Sequence, residues 1–391
     1  MINSLKKILR QTQPKYFYQN WIEIDSSKIL ANYNLYSTLA DNVFPVLKAN
    51  AYGHGITQIA QILQAKKIEY FVVDGYFEAL QIQQSCPDQK ILVMGYVDVQ
   101  NLTNINFKKI AIVVQSVEVL QSLLNLSKPI NIHLELNTGM NRWGLNPSEL
   151  KDFLKILSKQ KLVKLEGVMS HLADADGDNN HYTSKQIQVF DSCVRQVIDT
   201  NFRPKYIHLG QSAGSIKTQQ PQKDSKQSEY ANTIRVGLGL YGYNPLQSTD
   251  LAFDNFCSLQ PALTFKSRLI KVFKIKAGEP VSYNCTWIAS EDTWIGVIAV
   301  GYYEGLPREW NQKAEAKVKI DENYYPLVGR ICMNLSMINL GVESNFAVGC
   351  EVEIFSQSGL NSILNVAVAN QTIPYTLLVG INNFVHKSIK L

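Results

Sequence analysis

The sequence predicts an α/β fold: an N-terminal (β/α)8 barrel of the TIM type followed by a mainly β C-terminal domain. Three observations predict it. From about Val43 to Val236, short β-branched runs alternate with helical patterns, which is how parallel strands joined by crossover helices read. Past TIRVGLGLYGYNP the alternation stops, and strands follow one another with turn residues between them and little helical periodicity. A chain of 391 residues is also long enough for two domains with a large buried core.

The eight barrel strands are VFPVLK, YFVV, ILVM, IAIVV, NIHLEL, LEGVMS, YIHL and TIRV. Between them, Ile56, Ile59, Ala60 and Leu63 form one apolar stripe, and Leu150, Phe153, Leu154 and Leu157 another, both at helical spacing. No GxGxxG follows the first strand, so a closed barrel is preferred to an open doubly wound sheet. The β domain supplies LTFKSRLIKVF, WIGVIAVGYY, AKVKI and EVEIF. The expected division is a barrel over 1–245 and a β domain over 246–391, with the boundary in 243–258. The early strand YFYQNWIEID, about 16–25, is free to pair with the β domain. Residues 217–232, KTQQPQKDSKQSEYAN, are polar and read as a surface loop.

Composition narrows the function classes. With 46% hydrophobic and 18% charged residues the chain is globular. A net charge of +5, from 38 basic and 33 acidic residues, comes without a dense basic block, which excludes nucleic acid as partner. Six cysteines without a CxxC pair suggest neither a zinc site nor a disulfide framework, and no metal is expected. MINSLKKILRQTQPKYFYQN has no apolar core of signal length, and no segment reaches the roughly 18 apolar residues of a membrane span. The expectation is a cytoplasmic chain with no membrane anchor.

Lys48 ends the first strand and is followed at once by ANAYGHG. That sets an amine at the C-terminal mouth of a barrel strand, where active sites of this fold gather. A primary amine there is most often a solvated strand end, yet it is also the group that attaches an aldehyde cofactor.

VLKANAYGHG resembles the pyridoxal-phosphate attachment motif of the alanine racemases, fold-type III enzymes that join a barrel to a C-terminal β domain. TGMNRWG, GVMSHLADAD, RVGLGLYG, EPVSYNCTW, VGYYEGLPR and VGRICMN resemble further segments of that family, in the family's order. The resemblance implies an isomerase that interconverts L- and D-alanine with pyridoxal 5'-phosphate and supplies D-alanine for peptidoglycan. It implies that Lys48 holds the cofactor and moves a proton on one face of the substrate Cα, while Tyr283 is the second base on the opposite face. In the family that tyrosine comes from the partner subunit, so a homodimer with shared sites is implied. Arg235 matches the arginine facing the pyridine nitrogen, where a permanent cation weakens the electron sink and favours racemisation over transamination. His171 matches the histidine beside the ring, relaying hydrogen bonds between Arg235 and Tyr283 of the partner subunit. Tyr52, Ser212, Gly237, Leu238 and Tyr375 fall at phosphate-contact positions. Arg142 corresponds to the arginine near the cofactor phenol oxygen and the substrate, Met333 to the residue whose backbone N–H meets the substrate carboxylate. Tyr302 matches a tyrosine lining the mouth, with Asp176, Arg308 and Arg330 further out.

The chain departs from the family at Glu135, where many members carry a carbamylated lysine, and an anionic carboxylate there is expected to pair with Arg142. Asn137, Gln211 and Asn334 replace Asp, Asn and Asp, and Glu304 replaces an aspartate in the mouth segment. The last stretch, YTLLVGINNFVHK, lacks the usual arginines, so the entrance should carry a different charge. The loop from Gln211 to Arg235 reads as longer than usual, a tolerated surface insertion. These changes leave open a racemase of another small or polar amino acid. A catalytically impaired cofactor-binding protein and a fold-type III decarboxylase are the remaining alternatives.

Overall fold

The computed structural model describes residues 16–126, 128–177, 180–219, 227–246, 250, 253–312 and 316–390. The reading of the first fifteen residues lies outside them, as does residues 220–226 of the expected surface loop. The chain starts with β1 (Asn20–Asp25) and α1 (Ser26–Tyr36), whose first turn is capped by the Asp25 carboxylate accepting the Lys28 N–H at 3.2 Å.

Eight parallel strands follow: β2 (Asn42–Pro45), β3 (Phe71–Val73), β4 (Ile91–Val93), β5 (Ile110–Val114), β6 (Ile130–Glu135), β7 (Val163–Met169), β8 (Tyr206–His208) and β9 (Thr233–Val236). They neighbour one another in the order β2-β9-β8-β7-β6-β5-β4-β3. A parallel bridge between Val46 and Val72, with the Leu47 N–H donating to Val72 O at 2.7 Å, joins the two ends and closes the ring. Each expected strand contributes one stave. Their residues are buried almost throughout because helices cover the outside and side chains fill the inside. The covering helices are α2 (Ile56–Leu63), α3 (Tyr76–Ser85), α4 (Val99–Leu102), α5 (Val117–Leu124), α6 (Leu150–Leu157), α7 (Asn180–Asp199) and α8 (Ser212–Gln219). Both predicted stripes, on α2 and α6, face the barrel and are buried.

The second body is built on β10 (Leu263–Ile275). It also contains the ribbon β11 (Pro280–Val281) and β12 (Trp287–Ile288), then β13 (Thr293–Ile298), β14 (Lys317–Ile320), β15 (Asn323–Val328), β16 (Ser336–Gly341), β17 (Glu351–Phe355) and β18 (His386–Lys390). A β10–β13 pairing closes β13, β16, β15, β14, β17 and β10 on themselves. β1 belongs to this sheet, antiparallel to β10 with Ile22 opposite Phe265 and parallel to β18 with Trp21 opposite His386. Two details differ from the sequence reading. The domain also holds α9 (Ile363–Ala369) and α10 (Pro374–Gly380), each only seven residues, too short for an apolar stripe to repeat. The polar segment before β9 is not loop throughout: it begins in α8, and Ser228 and Glu229 dock on Asp191 of α7. No helix among the described residues is long and apolar enough to cross a membrane.

Directly after Lys48 the backbone makes a left-handed helical turn, with φ of 53°, 54°, 54° and 52° at Ala49, Asn50, Ala51 and Tyr52. No glycine relieves it, and such a conformation costs an L-residue roughly 1–2 kcal/mol. Three partners hold it: Glu78 Oε1 accepts the Ala49 N–H at 2.7 Å, Leu47 O accepts the Ala51 N–H at 2.8 Å, and Asn50 Oδ1 accepts the Ile56 N–H at 2.8 Å. The other Glu78 oxygen accepts the Asp74 and Gly75 N–H groups, which ties the turn to the mouth of β3. The exposed Ala49 gives a clean check by thermal denaturation. Ala49→Gly should leave Tm unchanged or higher, whereas the β-branched Ala49→Val should cost about 2 kcal/mol. Equal effects would mean that the turn is not left-handed.

Candidate active site

The C-terminal ends of the barrel strands open into a cavity of about 680 Å³, a size suited to a small-molecule site. Nine of the twelve residues singled out from the sequence line it: Lys48, Tyr52, Arg142, His171, Ser212, Arg235, Gly237, Leu238 and Tyr375. The other three do not. Tyr283, Met333 and Tyr302, all in the C-terminal domain, are 67%, 55% and 40% exposed.

One end of the cavity is built from neutral donors. Ser212, opening α8, accepts at Oγ the N–H groups of Gly237 at 3.0 Å and Gly239 at 3.3 Å. A Cβ on Gly237 would lie 2.5 Å from Tyr52 Oη, so only glycine lets that phenol approach the turn. Gly239 makes the same room for Tyr36, whose buried hydroxyl has no hydrogen-bond partner. Hydroxyls and glycine backbone converging without a fixed counter-charge are the surroundings an anion needs. Sequence reading missed Tyr36, because on α1 it reads as one more apolar core position.

Arg235, at 2% exposure, lies at the deep end. Its Nη1 donates to His208 O at 2.8 Å and His208 Nδ1 at 3.0 Å, and its Nη2 to Ser170 O at 2.7 Å. His171 Nδ1 lies 3.4 Å from the same Nη2. Burial lowers the guanidinium to about 10, which leaves it charged at neutral pH. A guanidinium has only hydrogens to give, so His208 Nδ1 is an acceptor and its proton is on Nε2. That nitrogen meets His133 Nδ1 at 2.8 Å, which puts the second proton on His133 Nε2, 3.9 Å from Glu166 Oε2. A directed chain of neutral imidazoles therefore runs from Arg235 down the barrel axis. The sequence signal was there, a histidine in each of NIHLEL and YIHL, but inside short apolar strands both read as core.

One expectation needs correction. Glu135 and Arg142 line the same cavity but form no ion pair within 4.0 Å, since Glu135 is buried in β6 while Arg142 sits on an exposed loop. Burial raises the Glu135 carboxyl above its ordinary value, against Arg235, Arg142 and Lys48, which favour its charge. Glu304, an acid in place of an acid, is buried, and its Oε1 accepts the Asn334 amide at 2.7 Å. Asn137 shapes the Arg142 loop by accepting the N–H groups of Gly139 and Asn141 at 3.2 and 3.0 Å, work an aspartate would also do. Gln211 lines the cavity with a buried Oε1 that has no partner.

Comparison with known proteins gives a match to the alanine racemase N-terminal domain over residues 24–245 and to its C-terminal domain over 262–389. The chain belongs to the alanine racemase family. It is 30% identical to the alanine racemase of Staphylococcus carnosus over 94% of both chains, and 32% identical to that of Ligilactobacillus salivarius over 89% of this chain and 91% of the relative. Among solved structures, alanine racemase of Clostridium difficile 630 superposes with a TM-score of 0.86 at 26% identity, over 96% of this chain and 97% of that one. The Bacillus anthracis alanine racemase with bound L-Ala-P gives 0.84 at 26%, over 97% and 96%. The family's reaction is an isomerisation, the racemisation of alanine, and it is the activity of this chain.

The buried imidazoles of this alanine racemase family member give it a pH signature. Burial lowers His54 to about 4 and, with Arg235, Arg142 and Lys48 nearby, His171 to about 3; it also lowers His133 and His208. The unfolded chain binds protons near pH 6.5 that the fold refuses. The stability these groups contribute is complete above about pH 6.5 and is lost as pH falls towards 4 and then 3. Glu135, raised by burial, works in the opposite sense, one group against four. Urea midpoints should therefore fall progressively from pH 7 to pH 5, and a flat midpoint would contradict the neutral histidines.

Proposed function

We propose that this chain racemises alanine with pyridoxal 5'-phosphate by a two-base mechanism in a homodimer whose sites are shared. The observation that carries the proposal is the split: Lys48 lines the cavity with eight other matched residues, while Tyr283 stands exposed outside it. The cavity suits the cofactor. It has the volume, a neutral anion pocket that a Cβ on Gly237 would crowd, and a buried cation at the other end. Ser212, Gly237, Leu238, Tyr52 and Tyr375 would take the phosphate, Lys48 the aldehyde carbon, and Arg235 the ring nitrogen. When bound, the cofactor acidifies the substrate Cα–H by drawing its electrons into the ring.

The chain's own residues do the rest. Arg235, held by three carbonyls and His208, would offer the ring nitrogen a hydrogen bond but no proton, which would keep the electron sink shallow and favour proton exchange. Lys48 Nζ takes or returns the proton on one face of Cα. The opposite face needs a second base, because a base on one side alone returns the proton to the side it came from. Tyr283 is assigned that role from the partner subunit. It sits at the tip of the β11–β12 ribbon, and Ser282, Asn284 and Cys285 around it have φ of 66°, 61° and 50°. Ser282 Oγ pins the turn by donating to Arg330 O at 2.7 Å. A strained, pinned turn that presents an aromatic hydroxyl to solvent fits a group delivered to another molecule. Met333 would meet the substrate carboxylate and Tyr302 would line the mouth from the same domain. A dimeric enzyme of this kind fits a soluble, cytoplasmic setting and the supply of D-alanine for peptidoglycan.

Three measurements test the reading. The cofactor-loaded protein incubated with L-alanine should produce D-alanine, and borohydride fixation with peptide mapping should place the cofactor on Lys48. Lys48→Ala and Tyr283→Ala should each be nearly inactive, yet co-refolding them should restore activity, because one site of a mixed dimer is intact. Random mixing makes half the dimers mixed, so recovery should approach roughly a quarter of wild type. Absence of recovery in proven heterodimers would mean that Tyr283 serves its own chain's lysine.

A further inference from the structure

The departures at Glu304 and Asn334, which looked independent in sequence, meet in space. Glu304 is 8% exposed, and both carboxylate oxygens are used inward: Oε2 accepts the Gly301 N–H at 2.8 Å and Oε1 accepts the Asn334 Nδ2–H at 2.7 Å. The two segments cross closely. The Tyr302 N–H donates to Cys332 O at 3.1 Å and the Tyr303 N–H to Met333 O at 2.9 Å, and a Cβ on Gly301 would lie 2.6 Å from the Met333 carbonyl carbon. The far side of the 301–305 segment is fixed as well, since the Asn382 N–H donates to Glu304 O at 3.2 Å and Asn382 Nδ2 to Tyr303 O at 3.0 Å. Among the described residues, the Met333 N–H has no acceptor within its own chain.

We infer that the Glu304–Asn334 hydrogen bond is the positioning element that presents the Met333 N–H to the substrate carboxylate, with Glu304 as its fixed anchor. The inference rests on the proposed role of Met333. Its physical basis is the polarity of the pair. A carboxylate only accepts and a carboxamide can donate, so acid facing amide closes without a shared proton. Two acids at this spacing would repel, and two amides would close only with the Asn334 carboxamide turned over. Asn334 is the next residue after Met333, so its side-chain bond and the Met333 carbonyl bond to Tyr303 fix the chain on one side of the donor, while the Cys332 carbonyl bond to the Tyr302 N–H holds the donor's own peptide on the other. Neither side chain needs to touch substrate; both act through the Met333 backbone.

Exchanging acid and amide tests this. Asn334→Asp sets two carboxylates against each other, whereas in Glu304→Gln with Asn334→Asp the Gln carbonyl can accept from Gly301 and its amide can donate to Asp. In the cofactor-loaded enzyme, Asn334→Asp should raise KM for L-alanine about tenfold, near 1.4 kcal/mol, with kcat changed by less than about twofold. The double variant should return KM to within about twofold of wild type. Cofactor absorbance should be the same in all three proteins. Amide hydrogen exchange gives a readout independent of turnover: protection at Tyr302 and Tyr303 should fall in Asn334→Asp and return in the double variant. A wild-type KM in Asn334→Asp, or a double variant that recovers neither KM nor protection, overturns the inference. If the wild-type protein itself makes no D-alanine, the proposed function fails, while the exchange data still decide whether this pair fixes the Met333 segment.

Discussion

The burial of one permanent charge organises the barrel. Arg235 cannot shed its proton at neutral pH, and a guanidinium removed from water must find an acceptor for each hydrogen it gives up to the interior. The fold answers with carbonyl oxygens at the ends of β7 and β8, from Ser170, His208 and Leu209, so a single side chain on β9 ties together three consecutive strand ends. Because the donor is fixed, the two histidines below it have no choice of tautomer. Phe44, His133 and His208, from β2, β6 and β8, share one level of the barrel with ring centroids 5.0 to 6.5 Å apart. Alternate strands supplying one level is the ordinary packing of this barrel, and here that level also carries hydrogen bonds.

Against this rigid floor, the cavity rim is held by devices that spend conformational energy. The left-handed turn after Lys48 is the clearest: four strained residues are kept in place by Glu78 Oε1, Leu47 O and Asn50 Oδ1, and Glu78, 3% exposed, reaches N–H groups on both sides of the β2–β3 seam. That seam is where the ring of strands is closed by a single bridge. Strain beside Lys48 and the single-bridge joint of the barrel thus share one buried carboxylate, so the turn after Lys48 and the ring closure are mechanically one feature.

What was legible in the sequence follows from which forces are local. The eight staves were readable because a strand buried on both faces must be apolar along its whole length, and α2 and α6 because their apolar stripes repeat. The motif residues from Lys48 to Tyr375 were readable through resemblance. Features made by distant residues were not. Nothing in ANAY announces a left-handed turn, since Ala49 and Ala51 are poor residues for one and are held there by Glu78 and by the Leu47 carbonyl. The pairing of Glu304 with Asn334 joins two segments whose changes, taken singly, carried no sign that they meet. Arg142 and Glu135, close in sequence, invited a pairing that the burial of one and exposure of the other prevents.

The position of β1 sets a condition on how the molecule can be made. It is the first strand described, yet it lies between β10 and β18, and Ser388 Oγ donates to Ile22 O across 366 residues of chain. A ribosome releases β1 long before either neighbour exists. The barrel, whose staves pair in order of synthesis, can assemble while its leading strand waits with unpaired edges; the C-terminal sheet can be completed only after the last residues emerge. Cutting the chain between the domains would therefore strand β1 on the wrong fragment. Joining β18 to β1 and opening the chain elsewhere would instead put the two strands next to each other in synthesis, shortening the longest loop the fold has to close.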